Sequence, residues 1–175
     1  GVAFAQDTVI WQDNVEGWSV AVDRTIENSC FILAGFDNDV FLRFQFNATK
    51  ESVQFIVANI HWNTLQSGGD YDMEVIFDDG EAWAGMAKAH TWNDVLPSLV
   101  LSVPVKDQQA SNFMKSFTDM DSVSISHAGA EIAELSVSGT EAAVASMLNC
   151  QASMSSLSKS GEDKTGDFEP ASDPV

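Results

Sequence analysis

The chain has 175 residues, 45% of them hydrophobic, and its 26 acidic side chains against 8 basic ones leave a net charge of −18. That length supports a single domain with a real core, and the charge argues against nucleic acid and anionic lipid as partners, since both need cationic contacts. No apolar run approaches the roughly 20 residues that a membrane span requires, so no membrane span is expected.

The N-terminus reads as processing rather than fold. Ala3-Phe4-Ala5 ahead of Gln6-Asp7 matches an A-x-A signal-peptidase site. Residues 1–5 are therefore expected to be a signal-peptide remnant, which implies a periplasmic or secreted destination. From Val9 onward the apolar residues fall mostly with period two, which means strands. Val9 and Trp11, then Trp18, Val20 and Val22, frame a turn containing Asn14 and Gly17. Cys30, Ile32 and Ala34 continue the alternation, followed by Leu42, Phe44 and Phe46, and then Val53, Phe55 and Val57. Tyr71, Met73, Val75 and Phe77 alternate with Asp72, Glu74 and Ile76 up to Asp78-Asp79-Gly80, a hairpin signal because Asp-Gly tolerates the positive φ of a tight turn. Leu99, Leu101 and Val103 precede Pro104, and Val123 and Ile125 lead through Gly129 to Ala133, Leu135 and Val137.

Two stretches switch to helical spacing. Asp107 can cap a helix over about 108–117 whose Ala110, Phe113, Met114 and Phe117 share one face. Ser138 and Glu141 have the spacing of a capping box, with Ala143, Val144, Met147 and Leu148 as an apolar stripe behind it, so a second helix is expected over about 139–150. Cys150 lies seven residues after Ala143, on the same side. After it Ser, Asp, Glu, Lys, Gly and Pro dominate, and 151–175 reads by composition as a disordered acidic, Ser-rich tail. The expected architecture is one mainly β domain over 6–150, an antiparallel β-sandwich or flattened barrel with two short helices.

The two cysteines fit an exported protein, because a pair of cysteines in a small domain of an oxidising compartment usually bonds. A Cys30–Cys150 bridge would close a loop of about 120 residues, for which the chain-entropy model gives about 4–5 kcal/mol. No Cys-x-x-Cys occurs, so neither a redox-active nor a zinc thiolate site is expected.

Catalytic signatures are sparse. His61, His90 and His127 lack metal-ligand spacing, and neither a nucleophile elbow nor a Gly-rich phosphate cradle is present. The pairs Asp37/Asp39, Asp70/Asp72 and Asp78/Asp79 have the hard oxygens that Ca²⁺ prefers, but turn chemistry explains most of them. Trp11, Trp18, Trp62, Trp83 and Trp92 are either a carbohydrate platform or buried core area, the commoner use in a small β-domain. No catalytic residue, no metal ligand and no cofactor is expected. The implied partner is a protein, unidentified, whose charge complements an acidic surface.

Ser67-Gly68-Gly69-Asp70-Tyr71 contains S-G-x-x-Y, which resembles the short loop motif by which some periplasmic lysozyme inhibitors contact their enzyme. Ser67, Gly68 and Tyr71 are thus a candidate binding loop. The competing reading is a Gly-Gly turn entering a strand.

A wider resemblance rests on Gly17-Trp18, Cys30, the N-x-x-W of Asn59 to Trp62, the L-x-x-G of Leu65 to Gly68, Phe77-Asp78, the helix with Phe113 and Phe117, and the closing L-x-V-x-G-T-x-A-A from Leu135 into Cys150. Over about residues 17–150 the pattern resembles an uncharacterised family of small exported alphaproteobacterial proteins. More distantly it is similar to the periplasmic β-proteins of the invasion-associated locus B type. The resemblance implies export and a β-rich fold, and it brings no catalytic residues. The strong acidity and the Ser-rich tail depart from that group.

Overall fold

Strand ends in this chain are set by short turns whose residues accept positive φ. Glu16-Gly17, Asn93-Asp94 and Ala128-Gly129 each put two consecutive residues in the left-handed region between paired strands, the backbone hand that matches strand twist in tight hairpins. The computed structural model describes residues 7–165, with side chains through residue 155. The expected signal remnant at 1–5 and the last part of the expected tail, 166–175, lie outside the described residues.

The strands are β1 (Thr8–Val15), β2 (Trp18–Asp23), β3 (Ser29–Gly35), β4 (Val40–Asn47), β5 (Ser52–Asn59), β6 (Asp70–Phe77), β7 (Ala82–Trp92), β8 (Leu96–Pro104), β9 (Ser122–His127) and β10 (Ala130–Ser136). The helices are α1 (Gln108–Asp119), between β8 and β9, and α2 (Thr140–Thr165). The architecture is mainly β and antiparallel with two helices, as expected. The ten strands form one open sheet in the order β1-β2-β3-β4-β5-β8-β7-β6-β9-β10. A meander of five strands is thus followed by a second meander laid down in reverse, and β5 meets β8 in register from Ser52↔Pro104 to Ala58↔Ser98. The last hairpin returns beside β6, where Val75 opposes Ile125.

One face of this sheet makes the main core. Trp18, Ile32, Leu42, Phe44, Phe55, Met73, Val75, Phe77, Leu99 and Ile125 are all buried on it. The two helices cover that face, the role a second sheet would play in a sandwich. α1 is capped as expected, Asp107 accepting from the Gln109 N–H at 3.2 Å. Its Phe113 and Phe117 enter an aromatic cluster with Phe44, Phe55, Phe77, Trp83 and Trp18. Met114 is only half-buried, at the edge of this stripe.

α2 departs from expectation at both ends. The Ala143 N–H donates to the Gly139 carbonyl at 3.0 Å, so Gly139 holds the N-cap position and Ser138 lies one residue too early to close the expected box. At the other end the helix runs through Cys150 to Thr165. The Gln151 side chain accepts from the Cys30 backbone N–H at 2.8 Å, and Met154 packs on the core. Ala143, Val144, Met147 and Cys150 are buried, but Leu148 is 45% exposed and leaves the stripe. The helix docks through its 143/147/150/154 side, which turns Leu148 outward.

Cys30 and Cys150 form the expected disulfide, across a sequence separation of 120. Such a bond is consistent with an oxidising compartment. Among the described residues no helix is long and apolar enough to cross a membrane.

Candidate functional site

One concavity lies where three distant segments meet: the β1–β2 turn, the end of α1 and the start of α2. It is a cleft of about 460 Å³, lined among others by Glu16, Asp119, Asp121, Gly139, Thr140 and Glu141. The turn is a two-residue Glu16-Gly17 loop, with the Gly17 N–H donating to Asn14 Oδ1 at 2.9 Å. The end of α1 is held in place by the Val137 N–H donating to the Asp121 carbonyl at 2.9 Å. Asp78, in the β6–β7 hairpin, accepts from the backbone N–H groups of Asp121 at 3.0 Å and Ser122 at 3.4 Å.

Gly139 closes the cleft and cannot be replaced cheaply. Its φ is +76°, and a Cβ there would stand 2.5 Å from the Glu16 Cβ and 2.7 Å from the Glu16 carbonyl oxygen. Both the left-handed backbone and the backbone contact oppose any side chain. Gly139→Ala is expected to lower stability by about 2–4 kcal/mol, measured by urea unfolding. A loss under about 0.5 kcal/mol, within the range of ordinary surface substitutions, would contradict this geometry.

The Asp121 N–H that donates to Asp78 holds the Asp78 carboxyl below its ordinary value of 3.8, against a smaller opposing effect of burial and with further help from the Ser122 N–H. A carboxyl whose folded pKa lies below its unfolded one stabilises fully above the unfolded pKa and loses that stabilisation as pH falls through the folded pKa. The stability gap between the native chain and Asp78→Asn is therefore expected to be larger at pH 6 than at a pH below 3.8. Guanidinium unfolding at the two pH values would read it, and a gap of equal size at both would refute the assignment.

The cleft is acidic. Glu16, Asp119, Asp121 and Glu141 contribute four carboxylates, of which Asp119 accepts from Lys115 Nζ at 2.9 Å. The α2 N-terminus adds roughly half a positive charge, which does not offset the remaining three. Thr140, 2% exposed, lines the same cleft, and its Oγ1 has no hydrogen-bond partner.

The candidate loop at Ser67, Gly68 and Tyr71 lies elsewhere, at the start of β6. The Gly68 N–H donates to the Ala89 carbonyl at 2.8 Å, and the Ala89 N–H to the Gly69 carbonyl at 2.9 Å. The loop is thus a continuation of the β6–β7 ladder. Ser67 and Gly68 are exposed. The Tyr71 hydroxyl accepts from the Gln66 N–H at 2.9 Å, and its ring meets His127 edge-on, so this side chain braces its own loop.

On the sheet face opposite the main core stands a polar seam that alternation hides. The Arg43 Nη2 donates to Asp23 Oδ2 at 2.6 Å, and its guanidinium lies 3.6 Å over Phe31 and 4.6 Å over Trp92. Arg43 Nε donates to Gln45, whose amide donates to Gln54 Oε1 at 2.6 Å, and Gln54 donates to Ser102 Oγ at 2.8 Å. Burial pushes the Arg43 pKa down, opposed by the Asp23 charge. Burial, then the positive charges of Arg43 and Lys50, also push His90 down, which keeps it neutral at pH 7. A paired, hydrogen-bonded ion pair of this kind specifies an arrangement more than it stabilises one.

Most of these acidic residues are engaged within the chain. Asp39 pairs with His61, Asp70 with Lys88 and Asp72 with His127. Asp79 accepts from the Glu81 N–H and from Ser116 Oγ. Among the described residues no group of three or more potential ligands is placed to hold a metal ion. The tryptophans are spread between core and surface: Trp18 and Trp83 belong to the aromatic cluster around α1, Trp62 packs against the core, Trp92 covers Arg43, and Trp11 is 40% exposed on β1.

Fold and chemistry together define a disulfide-bonded antiparallel β-domain with an acidic cleft. No protein-family model, curated protein or solved structure matches the chain significantly.

Proposed function

We propose that this domain is a binding module of the periplasm or the extracellular medium, that its partner is a cationic protein, and that it works without catalysis. The observation that carries this reading is unneutralised acidity. Of only 8 basic side chains, Arg43, Lys88 and Lys115 are already paired with Asp23, Asp70 and Asp119. The other five basic side chains stand against 23 acidic ones, and such an excess steers basic partners and repels acidic ones. Support also comes from the disulfide, which suits an oxidising compartment, and from the resemblance to exported alphaproteobacterial proteins. Crosslinking in extracts of the exported fraction, at low and at high salt, tests the reading. A basic protein captured at low salt and lost at high salt is expected. Capture of acidic partners alone, or of none at either salt, would sink it.

A second reading keeps the exposed Ser67-Gly68 segment as the contact point of an inhibitor of a cationic wall-degrading enzyme. Its backbone is fixed by the Ala89 ladder bonds, and a rigid loop loses less entropy on binding. Lysozyme activity unchanged at stoichiometric excess of the domain would end this reading and leave the broader one standing.

A further inference from the structure

The geometry points to the free edge of β1 as the place where an extended segment of a protein partner, apolar at its centre and basic at its end, adds a strand to the sheet. This inference rests on the proposed cationic partner for the sign of that end and names the surface that grips it. β1 is the outermost strand on its side of the sheet, so its outward N–H and C=O groups have no strand partner among the described residues. Such a row of donors and acceptors is a template for another chain.

The side chains select a strand as the occupant. Val9 opposes Val22 of the main core face, and Ile10 opposes Ala21 of the other face. Both apolar layers of the sheet therefore run out at β1, where Val9 is 41%, Ile10 43% and Trp11 40% exposed. A helix or a small ligand laid on one face would cover one layer only. A strand beside β1 places side chains on both faces and continues both layers. Proteins guard such edges with lysine, proline, charge or bulges. β10, the opposite edge, carries Glu131 and Glu134 and a register break between Glu131 and Ala133. β1 has no lysine or proline, and Thr8, Val9 and Ile10 pair with β2 in unbroken register before its first irregularity. The apolar stretch begins in the regular part of the edge.

The charges select a basic occupant over a second copy of the chain. Asp13 and Glu16 are exposed and follow the apolar stretch, and neither forms an ion pair among the described residues. No lysine or arginine lies between Asp7 and Glu16, and Glu141 lines the same cleft as Glu16. Arg24 stands at the other end, its N–H donating to the Asp7 carbonyl at 2.8 Å, so the acid excess is greatest at the Asp13 end. An antiparallel copy of β1 centred on Ile10 would set Asp7 opposite Asp13 twice, and like charges so placed oppose pairing. A lysine or arginine at the end of an incoming strand meets the same carboxylates with the opposite sign.

The test is an NMR titration of the full, oxidised chain at low salt and neutral pH with three peptides, KTVIVTK, ETVIVTE and KTVPVTK. KTVIVTK is expected to move the amide signals of residues 8–12 first and to slow hydrogen exchange there. The other two should bind at least about fivefold more weakly, one for its charge and one because proline withholds its backbone from a ladder. In Asp13→Asn/Glu16→Gln the apparent Kd for KTVIVTK is expected to rise about threefold to tenfold. Glu131→Gln/Glu134→Gln removes the same charge at the other edge and should change it less than about twofold. Shifts centred on β10 or scattered over the surface, or equal binding of the proline peptide, would overturn the assignment to the β1 edge. Equal binding of ETVIVTE would overturn the basic occupant. A dimer of the free chain at neutral pH, with concentration-dependent shifts in β1, would put a second copy there instead. No shift with any peptide, while crosslinking still captures a basic protein at low salt, would remove the edge and leave the proposed cationic partner standing.

Discussion

Replacing Cys30 and Cys150 together with alanine is expected to lower the unfolding free energy by about 4–5 kcal/mol. The bridge spans 120 residues, so its loss frees nearly the whole domain in the unfolded state, where the chain-entropy effect operates. Both sulfurs are fully buried, and their removal also leaves unfilled volume. The effect should not be uniform over the molecule. α2 contacts β2 and β3 and also sends Gln151 to the Cys30 N–H. Amides of α2 are therefore expected to lose hydrogen-exchange protection before those of β4, β5 and β8. Guanidinium unfolding of the oxidised chain and the double variant checks the magnitude. A difference under about 1 kcal/mol would mean that α2 holds its place without the bond.

Phe117→Ala is expected to cost about 3–5 kcal/mol. The ring is fully buried and stacks on Phe44 with centroids 4.2 Å apart. It also meets Phe55 and Trp18 edge-on at 6.1 and 6.2 Å, and such pairs add to the effect of burial alone. Removing it detaches α1 from the middle of the sheet, where β4 and β5 lie side by side. Met114→Ala, one turn away on the half-buried margin, should cost less than half as much. Thermal or urea unfolding of the two variants reads the contrast, and equal losses would show that the aromatic cluster is not the keystone of this helix.

The strands and α1 were legible because their burial has one simple period. β6 shows it best: Met73, Val75 and Phe77 go in, while Asp72, Glu74 and Ile76 go out. The disulfide was legible from composition and context. The order of strands was not, since nothing local to β5 tells it to pair with β8, some forty residues on, across an intervening hairpin. Arg43, Gln45 and Gln54 alternate with the core-facing Leu42, Phe44 and Phe55, yet they are packed among Phe31, Trp92 and one another. Alternation reports two faces, and it does not report that both are covered. The continuation of α2 had a signal, because Met147, Gln151 and Met154 keep helical spacing beyond Cys150. The polar composition around them masked it. The acidic cleft had none. Glu16, Asp121 and Glu141 lie far apart in the chain, and only the fold brings them together.

The exposed edge of β1 has a colloidal consequence. β1 is the outermost strand on its side of the sheet, and Val9, Ile10 and Trp11 are each at least 40% exposed on it. An apolar edge with no strand partner among the described residues invites strands from neighbouring molecules, and the irregular register of β1 with β2 and the exposed Asp13 discourage them only in part. Between molecules the stronger safeguard is mutual repulsion from the charge of −18. That repulsion vanishes near the isoelectric point of about 4.1, while the edge stays as it is. Light scattering is therefore expected to show sharp, reversible association on acidification toward that pH, and Ile10→Lys should delay it. The acidity proposed to select a partner at neutral pH would also keep copies of this domain apart.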